Sequence, residues 1–183
     1  MKIVALIPAR IGSKRLKRKN IRLINGKPMI SYAINACKRS RLIDKVYVST
    51  ESDIIANIAK EYGATVIDRP KELAEDNVRT QDVFEHFASM VKDFDILVAI
   101  KANSPNVRAE NIDKGIQKLI SNNLWEVRSI TSDGLDNGAM WILKRDTIFW
   151  HGLSVYFGVI IDDAVEVHTL ADLKKARRIL KNG

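Results

Sequence analysis

The residues best equipped for chemistry lie in one stretch, Ile7-Pro8-Ala9-Arg10-Ile11-Gly12-Ser13-Lys14-Arg15-Leu16-Lys17-Arg18-Lys19-Asn20. Arg10, Lys14, Arg15, Lys17, Arg18 and Lys19 crowd positive charge into it. Gly12 has no Cβ, so backbone amides beside it can approach an anion closely. Arginine brings a planar fork and lysine a swinging point charge, and both suit phosphate oxygens. A polyphosphate is the simplest ligand for such a loop. A solvated basic loop and a nucleic-acid patch are the alternatives that these residues leave open.

Several other chemistries are excluded. In Gly12-Ser13-Lys14 a serine separates glycine from lysine, so the phosphate loop of the G-x-x-x-x-G-K-[ST] type is absent. G-x-G-x-x-G, G-x-S-x-G and HExxH are absent too. Cys37 is the one cysteine, which excludes an internal disulfide and a cysteine-rich metal centre, and the three histidines are scattered. The basic loop lacks interleaved aromatics for stacking bases, so nucleic acid is not the expected partner. A net charge of +8 favours anionic partners without choosing among them. The apolar start, Lys2 to Ile7, is too short for a signal peptide, and no apolar run reaches membrane-spanning length. A cytoplasmic protein with no membrane partner is expected.

The elements around the loop follow from hydrophobic periodicity. Ile3 to Ile7 reads as a buried strand. The loop then sits at the carboxyl end of a first strand, where open α/β sheets bind ligands. Asn25-Gly26-Lys27-Pro28 is turn chemistry. Ile30, Ala33, Ile34 and Cys37 recur at helical spacing and predict a helix from Met29 to Ser40, with Cys37 as a small buried hydrophobe. Lys45 to Ser49 is a short strand. Ser52 caps a helix with Ile54, Ile55, Ile58, Ala59 and Tyr62 on its face, and Gly63 ends it. Thr65 to Ile67 is the next strand. Thr80 is expected to cap a helix from Gln81 to Lys92, whose core face of Val83, Phe84, Phe87, Ala88 and Val91 has His86 at its rim. Ile96 to Ile100 reads as a central buried strand, and a helix from Ala109 to Ser121 follows.

Further on, Glu126 to Ile130, Ala139 to Leu143, Ser154 to Ile161 and Val165 to Val167 are β candidates. Thr169-Leu170-Ala171-Asp172 opens a basic last helix with Leu170, Leu173, Ala176 and Leu180 inward. The alternation predicts one α/β domain over residues 1–183, with a mainly parallel sheet between helices. The Arg69 to Thr80 loop, the Lys101 to Val107 loop and the Asn137 region should meet the first loop at one sheet edge. Their cations, hydroxyls and amides suit a nucleoside triphosphate and transfer at phosphorus.

The first loop resembles the signature of the acylneuraminate cytidylyltransferases, and CMP-Kdo synthetases share its general pattern. Val48-Ser49-Thr50-Glu51, Arg69-Pro70-Lys71-Glu72-Leu73-Ala74-Glu75-Asp76, Asn137-Gly138-Ala139-Met140-Trp141-Ile142 and Val165 to Leu173 look like later blocks of that family. The resemblance implies a three-layer, Rossmann-like nucleotidyltransferase. It implies attack of a sugar-acid hydroxyl on the α-phosphate of CTP, with release of pyrophosphate. Arg10, Lys14 and Lys19 would be catalytic. They would also bind the nucleotide, with Gly12, Ser13, Asn20, Arg69 and Thr80. Lys101, Asn103, Ser104 and Asn137 would face the acidic sugar.

The resemblance also implies magnesium bridging phosphate oxygens. Where the family has Asp-x-Asp, this chain has Glu166 and His168, so Glu166 is the expected ligand, with Asp162 or Asp163 as helpers. Histidine is a poor ligand for that hard ion, so weak magnesium binding without nucleotide is expected. These changed metal positions also fit a relative that binds nucleotide without turnover, and the loop Ile100-Lys101-Ala102-Asn103-Ser104-Pro105-Asn106-Val107, where the family has Leu-Gln-Pro-Thr-Ser-Pro-Leu-Arg, fits one using another sugar or nucleotide. The family's insertion before the Asn-Gly-Ala strand is mostly missing. A monomer, or a dimer through a surface other than that arm, is therefore expected.

Overall fold

An apolar strand without alternation needs cover on both faces, and that places it mid-sheet. Strand β1 (Ile3–Pro8) lies there, paired in parallel with β4 (Lys45–Thr50) on one side and β6 (Ile96–Ile100) on the other. A computed structural model describes residues 1–152 and 154–182. Outside β4 lies β5 (Thr65–Asp68), again parallel. Beyond β6 the direction reverses: β8 (Asp136–Lys144) runs antiparallel to both β6 and β7 (Glu126–Ile130), and β9 (Phe157–Ile161) lies parallel to β7. The order is β5-β4-β1-β6-β8-β7-β9. A small hairpin, β2 (Leu23–Ile24) with β3 (Lys27–Pro28), stands apart and turns through Asn25 and Gly26 at φ 48° and 82°. Both central residues of such a turn need positive φ, which Asn-Gly tolerates.

The sheet separates two apolar layers. Ala5 and Ile7 pack with Ile30, Ala33 and Ile34 of α1 (Met29–Arg39), Ile55 and Ala59 of α2 (Asp53–Glu61), and Ile112 and Ile116 of α4 (Ala109–Ser121). Val4 and Leu6 point the other way, onto Phe84 and Phe87 of α3 (Thr80–Met90). A third cluster is separate. It joins Leu16 of the first loop, Ile24 of the hairpin and Met29 to Val167 and to Leu173 and Ala176 of α5 (Leu170–Asn182). No helix among the described residues is long and apolar enough to cross a membrane.

Some local expectations need correction. Arg79, not Thr80, holds the N-cap position of α3, because the Asp82 carboxylate accepts from the Arg79 amide at 3.1 Å and pairs with its guanidinium. Thr80 is the first helical residue, and the helix ends at Met90. Ile54 is 47% exposed and Leu170 59%, since each lies in the first turn of its helix, before the packed stripe begins. Residues 165–167 form no strand: the Val167 amide donates to the Asn103 carbonyl at 2.8 Å, one bond to a loop instead of a ladder. The last strand begins at Phe157, three residues later than expected.

Cys37 is fully buried on the inner face of α1, and burial pushes its thiol up to about 12. An unfolded thiol titrates near roughly 8.5. The folded chain keeps a proton that the unfolded chain loses, so this contribution is complete below the unfolded value and fades as pH rises toward the folded one. We expect native protein to resist a thiol-reactive dye at about pH 8 and to react fully in denaturant. Above about pH 9, stability should fall more steeply than in a Cys37→Ala variant, by one proton's slope. Fast labelling of the native state would show instead that α1 opens.

Candidate active site

A cleft of about 410 Å³ opens where β1 and β6 end, and the first loop forms one wall. Two side chains give the loop its shape. Ser13 Oγ donates to the Leu16 carbonyl at 2.8 Å and accepts from the Lys19 amide at 3.0 Å, closing residues 13–19 into a tight turn. Asn20, buried, donates from Nδ2 to the Arg10 carbonyl at 3.0 Å. Leu16 anchors the turn in the third apolar cluster. A Cβ added to Gly12 would meet nothing within 4 Å, so the space over that residue is open.

Carboxylates behind the walls hold the cations. Glu51 follows β4 directly: its Oε1 accepts from the Ile11 amide at 2.8 Å, and its Oε2 lies 3.0 Å from Arg69 Nη2. Both side chains are almost buried, Arg69 at 4% and Glu51 at 11% exposure. Arg10 donates to the Ala74 carbonyl at 2.9 Å and pairs with Asp76, which also takes Lys14. Hydrogen bonds from Lys14 and then Arg10 hold the Asp76 carboxyl below its usual range. Burial pushes the Lys19 ammonium below its usual value, and nearby Lys101, Arg15 and Arg10 press the same way against the pull of Glu166. Such an ammonium gains from any anion that arrives.

The facing wall centres on Glu166. Its Oε1 lies 3.0 Å from Lys101 Nζ, 3.2 Å from His168 Nε2 and 3.4 Å from Asn103 Nδ2. Burial pushes this carboxyl up, but Lys101 and His168 together outweigh it and leave it below its usual value. Asn103 also donates to the Val167 carbonyl at 3.1 Å, so it positions the Glu166 segment. Gly138 has φ +59°, and a Cβ there would collide with the end of the Lys101 side chain.

Most residues expected at the site do line this cleft: Arg10, Gly12, Ser13, Lys14, Lys19, Asn20, Arg69, Thr80, Lys101, Asn103 and Glu166. Ser104 and Asn137 are not among its walls. Ser104 is fully buried. Asn137 spends its amide on the sheet edge, where Oδ1 accepts from Ser129 Oγ and the Ala139 amide and Nδ2 donates to the Asp162 carbonyl. Glu51 and Asp76 were given no role from the sequence. Both fall in blocks that carry the resemblance, Val48 to Glu51 and Arg69 to Asp76, which is the signal the sequence offered for them.

The donor set does not fit a magnesium centre built by the protein. Magnesium wants several oxygen ligands in an octahedron. The described residues hold no group of three or more His, Cys, Asp or Glu placed for a metal. One Glu166 oxygen already carries Lys101, and its neighbour is the nitrogen donor His168. Asp162 and Asp163 do not line the cleft: Asp162 takes Asn111 Nδ2 at 3.0 Å and Asp163 takes the Ser132 amide at 2.8 Å.

Thr80 and Lys101 are shared with a smaller cavity of about 180 Å³, walled by Phe84, Arg128, Gly138 and Trp141. The Arg128 guanidinium lies over the Trp141 ring at 4.2 Å. A separate cavity of about 490 Å³, lined by Trp125, Trp150 and Phe157, shares Arg128 and Trp141 with it.

A family model described as "Cytidylyltransferase" matches residues 4–181. An N-acylneuraminate cytidylyltransferase from Escherichia coli is 38% identical over 104 residues, 57% of this chain and 25% of the relative. A CMP-N,N'-diacetyllegionaminic acid synthase from Legionella pneumophila is 39% identical over 122 residues, 64% of this chain and 53% of that one. N-acylneuraminate cytidylyltransferase A from Danio rerio is 31% identical over 81% of this chain and 32% of its own length. The chain thus spans between a quarter and about half of these curated relatives. Among solved structures, a CMP:2-keto-3-deoxy-manno-octonic acid synthetase complexed with CTP superposes with TM-score 0.83 at 17% identity, over 100% of this chain and 99% of the other. A 4-diphosphocytidyl-2C-methyl-D-erythritol synthase from Anaerococcus prevotii gives 0.68 at 14% identity, over 98% and 96% of the two chains. These two likenesses show the fold.

Removing Glu51 would leave the buried Arg69 guanidinium unpaired and the Ile11 amide without its acceptor. Glu51→Ala should lower unfolding free energy by about 3–5 kcal/mol, as for other broken buried pairs. Urea titration checks this; a loss below about 1 kcal/mol would mean that water or a neighbour replaces the carboxylate.

Proposed function

The chain belongs to the cytidylyltransferase family, and from that premise we propose that it transfers CMP from CTP to an acidic sugar of the sialic-acid type and releases pyrophosphate. One observation carries this reading. A cleft walled by six lysines and arginines opens, through Lys101 and Thr80, onto a second cavity with Arg128 and Trp141 in its wall. The first space suits a triphosphate and the second a compact polar acceptor with a carboxylate.

In this reading the triphosphate lies over residues 10–19. Lys14 and Arg10 exchange Asp76 for phosphate oxygens. That exchange is cheap, because the Asp76 pair is solvent-exposed and such pairs are weak. Ser13 and Asn20 keep the loop in shape, and Arg69 and Thr80 lie on the base side. The acceptor hydroxyl, giving its proton to water in the open cleft, forms a new bond to the α-phosphorus while the bond to the bridging oxygen of the β-phosphate breaks. Negative charge grows on the departing pyrophosphate, and Lys14, Lys19 and Arg10 are already in place to neutralise it. Groups held there beforehand need no reorganisation during the reaction. The acceptor carboxylate takes the place of the exposed Asp136 carboxylate, 3.7 Å from Arg128 Nη1, while stacking on Trp141 and the Glu126 contact at 3.3 Å hold the guanidinium plane.

Nucleotide binding without turnover is a second reading. It is favoured by the engagement of Glu166 with Lys101 and His168.

The test is pyrophosphate release with each of the four nucleoside triphosphates against sialic, legionaminic and octulosonic acids. We expect CTP to be preferred and at least one acid to support release. CTP binding by calorimetry without release under any acid would establish the second reading. Arg10→Ala and Lys14→Ala should each weaken CTP binding by about 1.5–3 kcal/mol, the range for a charged hydrogen bond. Unchanged affinity in both would move the nucleotide off the first loop.

A further inference from the structure

We propose that Lys101, beside Arg10, Lys14 and Lys19, stands in for a divalent metal ion at the nucleotide phosphates, so that the cleft takes a nucleoside triphosphate without one. The proposal rests on the reading of this cleft as the nucleotide site. Nucleotidyl transfer generally relies on a metal ion for such neutralisation. Here the place where carboxylate oxygens would hold one is filled by an ammonium, at 3.0 Å from Glu166.

The lysine is built in. Its backbone amide donates to the Ala139 carbonyl at 3.0 Å, tying it to β8. Its side chain passes over Gly138, where the left-handed backbone and the missing Cβ leave it room. The side chain is 39% exposed and lines the cleft, so a ligand there can reach it. It is also free to exchange partners. When Nζ leaves Glu166 for a phosphate, Oε1 keeps His168 at 3.2 Å and Asn103 at 3.4 Å. The carboxylate is not stranded, which is the usual penalty for breaking such a pair.

Charge argues the same way. Six lysines and arginines face the cleft against Glu75, Asp76 and Glu166. A divalent ion at Glu166 would add two more positive charges beside Lys101 and the already disfavoured Lys19 ammonium. A triphosphate brings the missing negative charge by itself.

The experiment is calorimetric CTP binding to wild type, Lys101→Gln and Lys101→Arg, each in EDTA and in excess magnesium chloride. Wild-type affinity should change less than about tenfold between the two conditions. Lys101→Gln should lose more than about tenfold in EDTA and regain part of it with magnesium, whereas Lys101→Arg should keep binding in EDTA. Thermal melts of all three should agree within a few degrees, because Glu166 keeps two donors. A wild type that needs magnesium by more than about tenfold, or a Lys101→Gln that binds normally in EDTA, overturns the proposal while leaving CTP as the ligand. If CTP binds in neither condition, the nucleotide reading of the cleft falls, and the role of Lys101 with it.

Discussion

Like charges facing one cleft repel, and the geometry of this one depends on the carboxylates set among them. Asp76 takes Arg10 and Lys14, Glu51 takes Arg69, and Glu166 takes Lys101. The three acids come from three places in the fold: the end of β4, the loop after β5, and the segment leading to α5. Each electrostatic contact therefore also ties one strand-end loop to another. Glu51 does most in this respect, since its second oxygen accepts the Ile11 amide and so sets the direction in which the chain leaves β1.

The pairs differ in burial, and burial decides what each can do. The Glu51–Arg69 pair is out of water, so its value is fixed geometry more than net stability. Asp76 with Arg10 and Lys14 lies in solvent, where ion pairs are screened and weak. The Lys101–Glu166 pair is intermediate and has spare donors behind it. The cleft thus grades from a frame that stays put to cations that can change partners, which is what a site for a charged, departing ligand requires.

Much of the central fold was legible because its signals are local. Ile3 to Ile7 and Ile96 to Ile100 are unbroken apolar runs, and both are mid-sheet strands. The first loop was legible because its cations are contiguous in the chain. What could not be read depends on distance. The position of β8 between β6 and β7 follows from packing, which strand periodicity does not encode. Glu51 with Arg69 and Asp76 with Arg10 join residues 18 and 66 positions apart, and no spacing announces such pairs. Glu166 was recognisable by residue type, but its partner Lys101 lies 65 positions away. Asn137 shows the same dependence: an asparagine in a polar loop looks ready for a ligand, and only the folded edge shows both ends of its amide engaged.

The third apolar cluster sets an order in time. Leu16 seats the turn over residues 13–19, yet its neighbours Val167, Leu173 and Ala176 come some 150 residues later. During synthesis the first strand and its loop leave the ribosome early, and the sheet can begin to pair as β4 and β6 follow. Until the segment from Val167 to Ala176 has emerged, Leu16 has only Ile24 and Met29 of this cluster to rest on. A nascent chain would therefore carry a nearly complete sheet for some time with its first loop only partly seated, and the cleft wall would be completed only as α5 packs down.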